Sequence, residues 1–189
     1  MIYATIAQVQ AYLDVAGDDD LIGEHLNAAT AAIETYTNRK FQVQNNTARY
    51  FDSCEDVDYL TLYLDHDLCE INSITNGDGT AVLAAQYVTN PRNTTPYYSI
   101  KLKGSYSLRW EDDDNGDSED AIAISGKWGY SQVPPADIEQ ACIRLASYFY
   151  RQKDSQVFDV TATPELGQLT IPQGMPADVR VMLNRYQRA

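Results

Sequence analysis

The hydrophobic period of this chain changes twice, and those two changes constrain its fold more than any other feature. Both ends repeat every three to four residues, as helices do, and the middle repeats every two, as strands do. At the start, Thr5-Ile-Ala-Gln8 has the form of a capping box. The Thr hydroxyl and Gln side chain can satisfy free backbone N–H groups at a helix N-terminus. Ile6, Val9 and Leu13 then share one face, and Gly17 is expected to end the helix. Asp18, Asp19 and Asp20 open a second helix, where carboxylates favour the positive end of the dipole. Its stripe is Ile22, Leu26, Ala29, Ile33 and Tyr36, ending near Asn38. Ala28, Ala29, Ala31 and Ala32 keep it thin, so a neighbouring helix can approach closely.

From Phe41 to Ser131 the alternation is strand-like. Leu60, Leu62 and Leu64 alternate with Tyr59, Thr61 and Tyr63. Asn76-Gly77-Asp78-Gly79 signals a tight turn. Tyr98, Ile100 and Leu102 alternate next, and Tyr106, Leu108 and Trp110 are expected to continue the pattern beyond Gly104. Residues 121–128 read as a last strand. Asn90-Pro91 and Thr95-Pro96 bound a loop that is no central strand. Six or seven short strands are expected, forming a small antiparallel sheet or barrel.

Helical spacing returns after Pro134-Pro135 with Ile138, Cys142, Leu145 and Phe149. Residues 154–174 are polar and broken by Pro164, Gly167, Pro172 and Gly174, and read as an extended arm or loop. Met175-Pro176 starts a last short helix with Val179, Met182, Leu183 and Tyr186 apolar, and with Arg185 and Arg188 at its C-terminal end. The expected fold class is α+β. A platform of about four helices, drawn from residues 1–43 and 132–189, carries an inserted antiparallel β-rich domain at 44–131.

The charge is as uneven as the periodicity. Residues 52–70 hold seven acids and no Lys or Arg, and residues 109–120 hold seven acids against Arg109. These two stretches account for the whole net charge of −13. No basic run occurs anywhere, which argues against sequence-specific DNA binding. The three cysteines are odd in number and lack a C-x-x-C, so neither a disulfide framework nor a zinc ribbon is expected. The N-terminus lacks the pattern of a signal peptide. No apolar stretch approaches the ~20 residues of a membrane helix. A reducing cytoplasm is the expected site of synthesis.

Catalytic motifs are sparse. No G-x-S-x-G, Walker A, H-E-x-x-H or G-x-G-x-x-G occurs. Asp65-His66-Asp67 combines metal-ligand residue types, but adjacent residues of a strand cannot all face one point, and a solvated turn is expected. In the loop around Asp112, Asp113, Asp114 and Asp117, a calcium-loop register with Gly116 at position six puts Ile122 where a bidentate Glu is required. A solvated acidic hairpin loop is the plainer reading. The 14 tyrosines are many, with Tyr97, Tyr98, Tyr106, Tyr148 and Tyr150 as an interface or a Tyr-rich sheet face. A carbohydrate-binding β module and a divalent-dependent hydrolase using Asp65, His66 and Asp67 are the competing functional classes.

Two segments carry a family resemblance. One is Thr5-Ile-Ala-Gln-Val-Gln-Ala-Tyr-Leu13, then Asp18-Asp-Asp-Leu21, then Ala28 to Ile33 with Glu34, Tyr36, Thr37, Asn38 and Phe41. The other is Gly126-Lys-Trp-Gly-Tyr130, then Val133-Pro134, Asp137-Ile138, Ala141, Leu145, Tyr148 and Tyr150-Arg151. In order and spacing these resemble tailed-bacteriophage head–tail connector (adaptor) proteins, although the middle is longer than in many members. The resemblance implies a structural virion protein of the phage neck, not an enzyme, and no cofactor. It implies a ring, commonly a dodecamer, below the portal protein, which extends the DNA channel and docks a stopper or tail protein. DNA would pass through without specific binding, and no membrane is involved. A stopper or tail-completion protein is the nearest alternative. Within this frame, Val179, Met182, Leu183 and Tyr186 are candidates for portal docking. Phe158, Leu166, Leu169 and Ile171 are candidates for an arm between subunits. The acidic loop of Asp112, Asp113, Asp114 and Asp117 faces either the channel or the outside.

Overall fold

The computed structural model describes residues 2–152, 161–163, 168–170 and 174–188. The chain forms two compact units. One comprises Met1–Arg39 with Pro134–Ala189, the other Lys40–Val133.

The first unit is helical. Helix α1 (Ile6–Leu13) starts at the expected capping box, with Gln8 N–H donating to Thr5 Oγ1 at 3.3 Å and Thr5 N–H donating to Gln8 Oε1 at 2.7 Å. It ends earlier than Gly17 suggested, because Asp14 takes the left-handed conformation (φ 58°) and closes the helix. Helix α2 (Asp19–Thr37) buries Ile22, Leu26, Ala29 and Ile33 of the expected stripe, while Tyr36 is only half-buried and Thr37 beside it is buried instead. Asp18 precedes it but does not cap it. Its carboxylate instead accepts the Tyr150 hydroxyl at 2.6 Å, joining α2 to α3. Helix α3 (Ala136–Gln152) supplies the facing surface, with Ile138, Ala141, Cys142, Leu145 and Ala146 fully buried. Alanines on both helices let the backbones come close, and Thr30 meets Cys142 Sγ at 3.7 Å. Removing a side chain such as Leu26 from this contact costs about 2–5 kcal/mol.

Helix α4 (Ala177–Asn184) closes the unit, burying Val179 and Leu183 completely. Polar contacts seat it from several directions. Arg144 reaches Asp178 at 2.7 Å, the Tyr36 hydroxyl donates to Asn184 Oδ1 at 2.6 Å, and Arg39 Nε donates to the Tyr186 carbonyl at 2.6 Å.

The second unit is an antiparallel sheet. Its strands are β1 (Thr47–Phe51), β2 (Val57–Asp58), β3 (Thr61–Thr75), β4 (Tyr87–Asn90), β5 (Tyr97–Leu102) and β6 (Ile122–Trp128). The order is β1-β6-β3-β5-β4, with β2 on β3 outside that path. β3 is the organising strand. Its first part pairs with β5 and its later part with β6, with register shifts between Leu68 and Glu70 and between Ile71 and Ser73. Each shift adds a residue to one side of the ladder and turns the strand. One long strand therefore bends around a core of Leu62, Leu68, Ile74, Ile100, Ile122 and Ile124. Gly126 permits a close approach of β6 to β3, since a Cβ there would collide with the Glu70 carbonyl oxygen.

Two expected strands need correction. Residues 59–64 do not form one continuous strand, because Tyr59 is left-handed (φ 55°) and turns the chain between β2 and β3. Tyr106, Leu108 and Trp110 do not continue β5. Gly104–Tyr106 is a short 3-10 helix, and Ser107 is left-handed (φ 54°). Trp110 is buried all the same, its indole N–H donating to the Leu60 carbonyl at 3.0 Å. The turn at 76–79 forms as expected, with Gly79 N–H donating to Asn76 O at 2.9 Å. Within residues 154–174, Thr161–Thr163 (β7) and Gln168–Thr170 (β8) pair antiparallel as a small second sheet.

Candidate functional site

The acidic loop between β5 and β6 is built around Asp113. Its Oδ1 accepts the backbone N–H groups of Asn115 at 2.8 Å and Asp117 at 2.9 Å, and Oδ2 accepts from Asn115 Nδ2 at 3.0 Å. The Asp117 N–H, then the Asn115 side chain, hold the Asp113 carboxyl below the usual carboxylate range. Gly116 supplies the positive φ (85°) that the turn requires. Asp113 thus spends its acceptor capacity on its own backbone, as in an Asx-turn.

Sequence spacing could not show that the two acidic stretches touch. Ser53 N–H donates to the Ser118 carbonyl at 2.9 Å, and Asp120 N–H donates to Asp52 Oδ1 at 2.8 Å. The Ser53 hydroxyl bonds Asp112. The stretch at 52–56 and the loop at 112–120 therefore form one continuous acidic surface.

Asp65, His66 and Asp67 lie within β3 and not in a turn, a correction that follows from the strand's length. Asp65 and His66 point outward and bond each other at 2.8 Å, and Arg49 reaches Asp65 at 2.5 Å while its guanidinium lies 5.2 Å from the Trp128 ring centre. Asp67 is buried at 4% exposure, so the three side chains do not converge. Among the described residues, no group of three or more His, Cys, Asp or Glu is placed to hold a metal ion. None of their helices is long and apolar enough to cross a membrane.

The tyrosines are divided between the two units. Tyr97, Tyr98 and Tyr106 belong to the sheet unit, whereas Tyr148 and Tyr150 belong to the helical unit. A hollow of about 530 Å³ does open in the sheet unit, between β3 and β4, with Tyr87 and Tyr97 in its wall. Burial pushes the Tyr87 hydroxyl above its usual pKa.

On α4, Val179 and Leu183 are fully buried, and just beyond the helix Tyr186 is 9% exposed. Only Met182 among the four docking candidates is half-buried, and the outward position is Val181, which is 71% exposed. Of the arm candidates, Phe158, Leu166 and Ile171 lie outside the described residues, and Leu169 falls in β8.

The described residues thus define an α+β protein whose prominent features are surfaces: a joined acidic face, an outward side of α4, and an open hollow on the sheet. The family model of head completion proteins matches residues 3–189, and the chain belongs to that family. The fold is similar to a chain in a solved structure described as the neck of an empty GTA particle computed with C6 symmetry. The TM-score is 0.60 at 16% identity, over 97% of this chain and 88% of that one. No curated protein sequence matches this chain. The connector resemblance read from residues 5–41 and 126–151 holds at the level of the family.

Proposed function

We propose that this protein is a structural subunit of a phage-type neck, a head–tail connector that forms a ring below the portal. In that place it extends the DNA channel and receives the stopper or tail. The match to the head completion family over residues 3–189 carries this reading. The likeness to a neck chain supports it, and the C6 symmetry in that structure's description is compatible with six or twelve copies in a ring. The protein turns over no substrate in this role.

The surfaces fit such work. The joined acidic face would repel phosphates if it lined the channel, and DNA would slide past without adhering. Facing outward, it would keep the free subunit soluble. Portal docking falls to α4. The buried side chains Val179 and Leu183, and Tyr186 just beyond the helix, would dock only by leaving their seats, so Val181 and Met182 are the positions that meet the portal with the helix in place. Without a portal template the protein is monomeric or weakly associated. Light scattering at micromolar concentration tests this reading. A monomer mass that becomes a ring only with portal present agrees with it, and a stable ring of the isolated chain refutes it.

A further inference from the structure

The central strand of the sheet has a gap along one edge. β5 covers that edge at residues 61–63 and again at Leu68. Ala81 covers it at Thr75, and Val82 N–H donates to the Ile74 carbonyl at 2.9 Å. Between these points, residues 69–73 pair with β6 on the opposite edge, and among the described residues no strand pairs with them here. Asn72 and Ser73 are exposed. The 530 Å³ hollow lies against the gap, lined by Glu70 and Ile71 of β3, by Tyr87 and Thr89 of β4, and by Arg92. Glu70 is already paired with Lys127 at 2.9 Å. Arg92 is exposed and has no carboxylate partner among the described residues.

An open stretch of strand beside a concavity is the arrangement that strand addition uses. Main-chain hydrogen bonds supply affinity, and the concavity accepts alternate side chains. We propose that this gap receives an extended strand from residues 154–174 of a second copy of the chain, an inference that rests on the ring reading above. Three properties of that segment match the gap. Phe158, Val160 and Ala162 alternate with Asp159, Thr161 and Thr163, and Leu169 and Ile171 alternate with Gln168 and Thr170, giving the period of a strand with one apolar side. Two pieces of the segment, β7 and β8, pair as strands. Its charges are three acids, Asp154, Asp159 and Glu165, with no Lys or Arg, which complements Arg92. The five-residue gap spans about 16 Å, so four or five added residues fill it. The addition would also cover an edge that otherwise invites indiscriminate pairing.

The test uses the full chain and a synthetic peptide of residues 154–174, read by hydrogen exchange at residues 69–75. Saturating peptide, up to about 1 mM, should slow exchange at residues 70–73 at least ~3-fold, while a scrambled peptide should not. Arg92→Glu in the full chain should weaken the effect by ~5-fold or more, and a peptide with Val160→Pro should lose it. No slowing at the highest concentration, or equal slowing by the scrambled peptide, overturns the proposal. So does protection of residues 70–73 in the free chain that is independent of concentration and vanishes with Val160→Pro in the same chain, because the occupant is then the chain's own arm. The assay reads the gap alone. Its failure leaves the neck assignment standing, and a failed neck assignment leaves its result intact.

Discussion

Tyr186 donates its hydroxyl to Asp137 Oδ1 at 2.8 Å, and this bond ties the last turn of the chain to the first turn of α3. Arg185 pairs with the same carboxylate. The C-terminal segment is therefore part of the helical unit's core. Tyr186→Phe keeps the ring and removes the donor, which costs about 1 kcal/mol and lowers the melting midpoint by about 2–4 °C. An unchanged midpoint would show that the bond contributes nothing. Deleting residues 176–189 would also strip Val179 and Leu183 from the core, so that truncation cannot separate docking from folding.

A second tie, on α4 itself, is pH-dependent. The hydrogen bond from Arg144 lowers the Asp178 pKa below its ordinary value. A depressed carboxylate pKa adds stability above the unfolded value, about 3.9, and this is lost as pH falls through the folded value. Asp178→Asn should therefore lower stability at neutral pH and flatten its decline below about pH 4. The same acid-side slope in variant and parent would contradict the linkage. The effect is small, since both side chains are partly exposed at 39% and 54%.

Gly126→Ala places a methyl group against the Glu70 carbonyl and 2.8 Å from Leu68 Cδ1. Overpacking of this kind costs about 1–3 kcal/mol. Hydrogen exchange should show lost protection in β3 and β6 with α2 and α3 unaffected. Uniform loss in both units would mean that they unfold as one.

In the acidic loop, Asp113 and its neighbours should separate geometry from charge. Asp113→Ala frees the N–H groups of Asn115 and Asp117, and their exchange should quicken. Asp114→Asn with Asp117→Asn should leave the loop's exchange unchanged while removing two charges. Slower DNA ejection from particles carrying that pair places the loop at the channel. Normal ejection places it outside. Quickened loop exchange in the pair would contradict the assignment of the turn to Asp113.

Portal capture should depend on the outward side of α4. Val181→Asp alters a residue that is 71% exposed and should leave the fold intact while reducing portal binding ~10-fold or more, the usual consequence of charging an apolar contact centre. Undiminished capture by a folded Val181→Asp protein would remove α4 from the docking surface.

The helices were legible in the sequence because local rules and packing agree there. The Thr5 capping box, the α2 stripe and the Pro134-Pro135 start each correspond to the structure. The sheet was legible in class but not in path. The left-handed residues Tyr59 and Ser107 carry no glycine to mark them. The register shifts in β3 displace its alternation, so one 15-residue strand did not stand out from several short ones. Trp110 kept strand spacing for another reason, since burial beneath Leu60 demands an apolar residue whatever the backbone does. The acidic stretches showed themselves by composition, but their contact is made between residues 68 positions apart, beyond any local pattern. The seating of Val179 and Leu183 was equally hidden, because an amphipathic helix looks alike whether its apolar side faces its own unit or a partner.

A single-particle reconstruction of the neck of assembled particles tests the central claim most directly. The account predicts density for this chain as a closed ring between portal and tail, with the DNA channel running through it. A chain that plugs the channel as a stopper, sits at the tail, or is absent from the neck would contradict it.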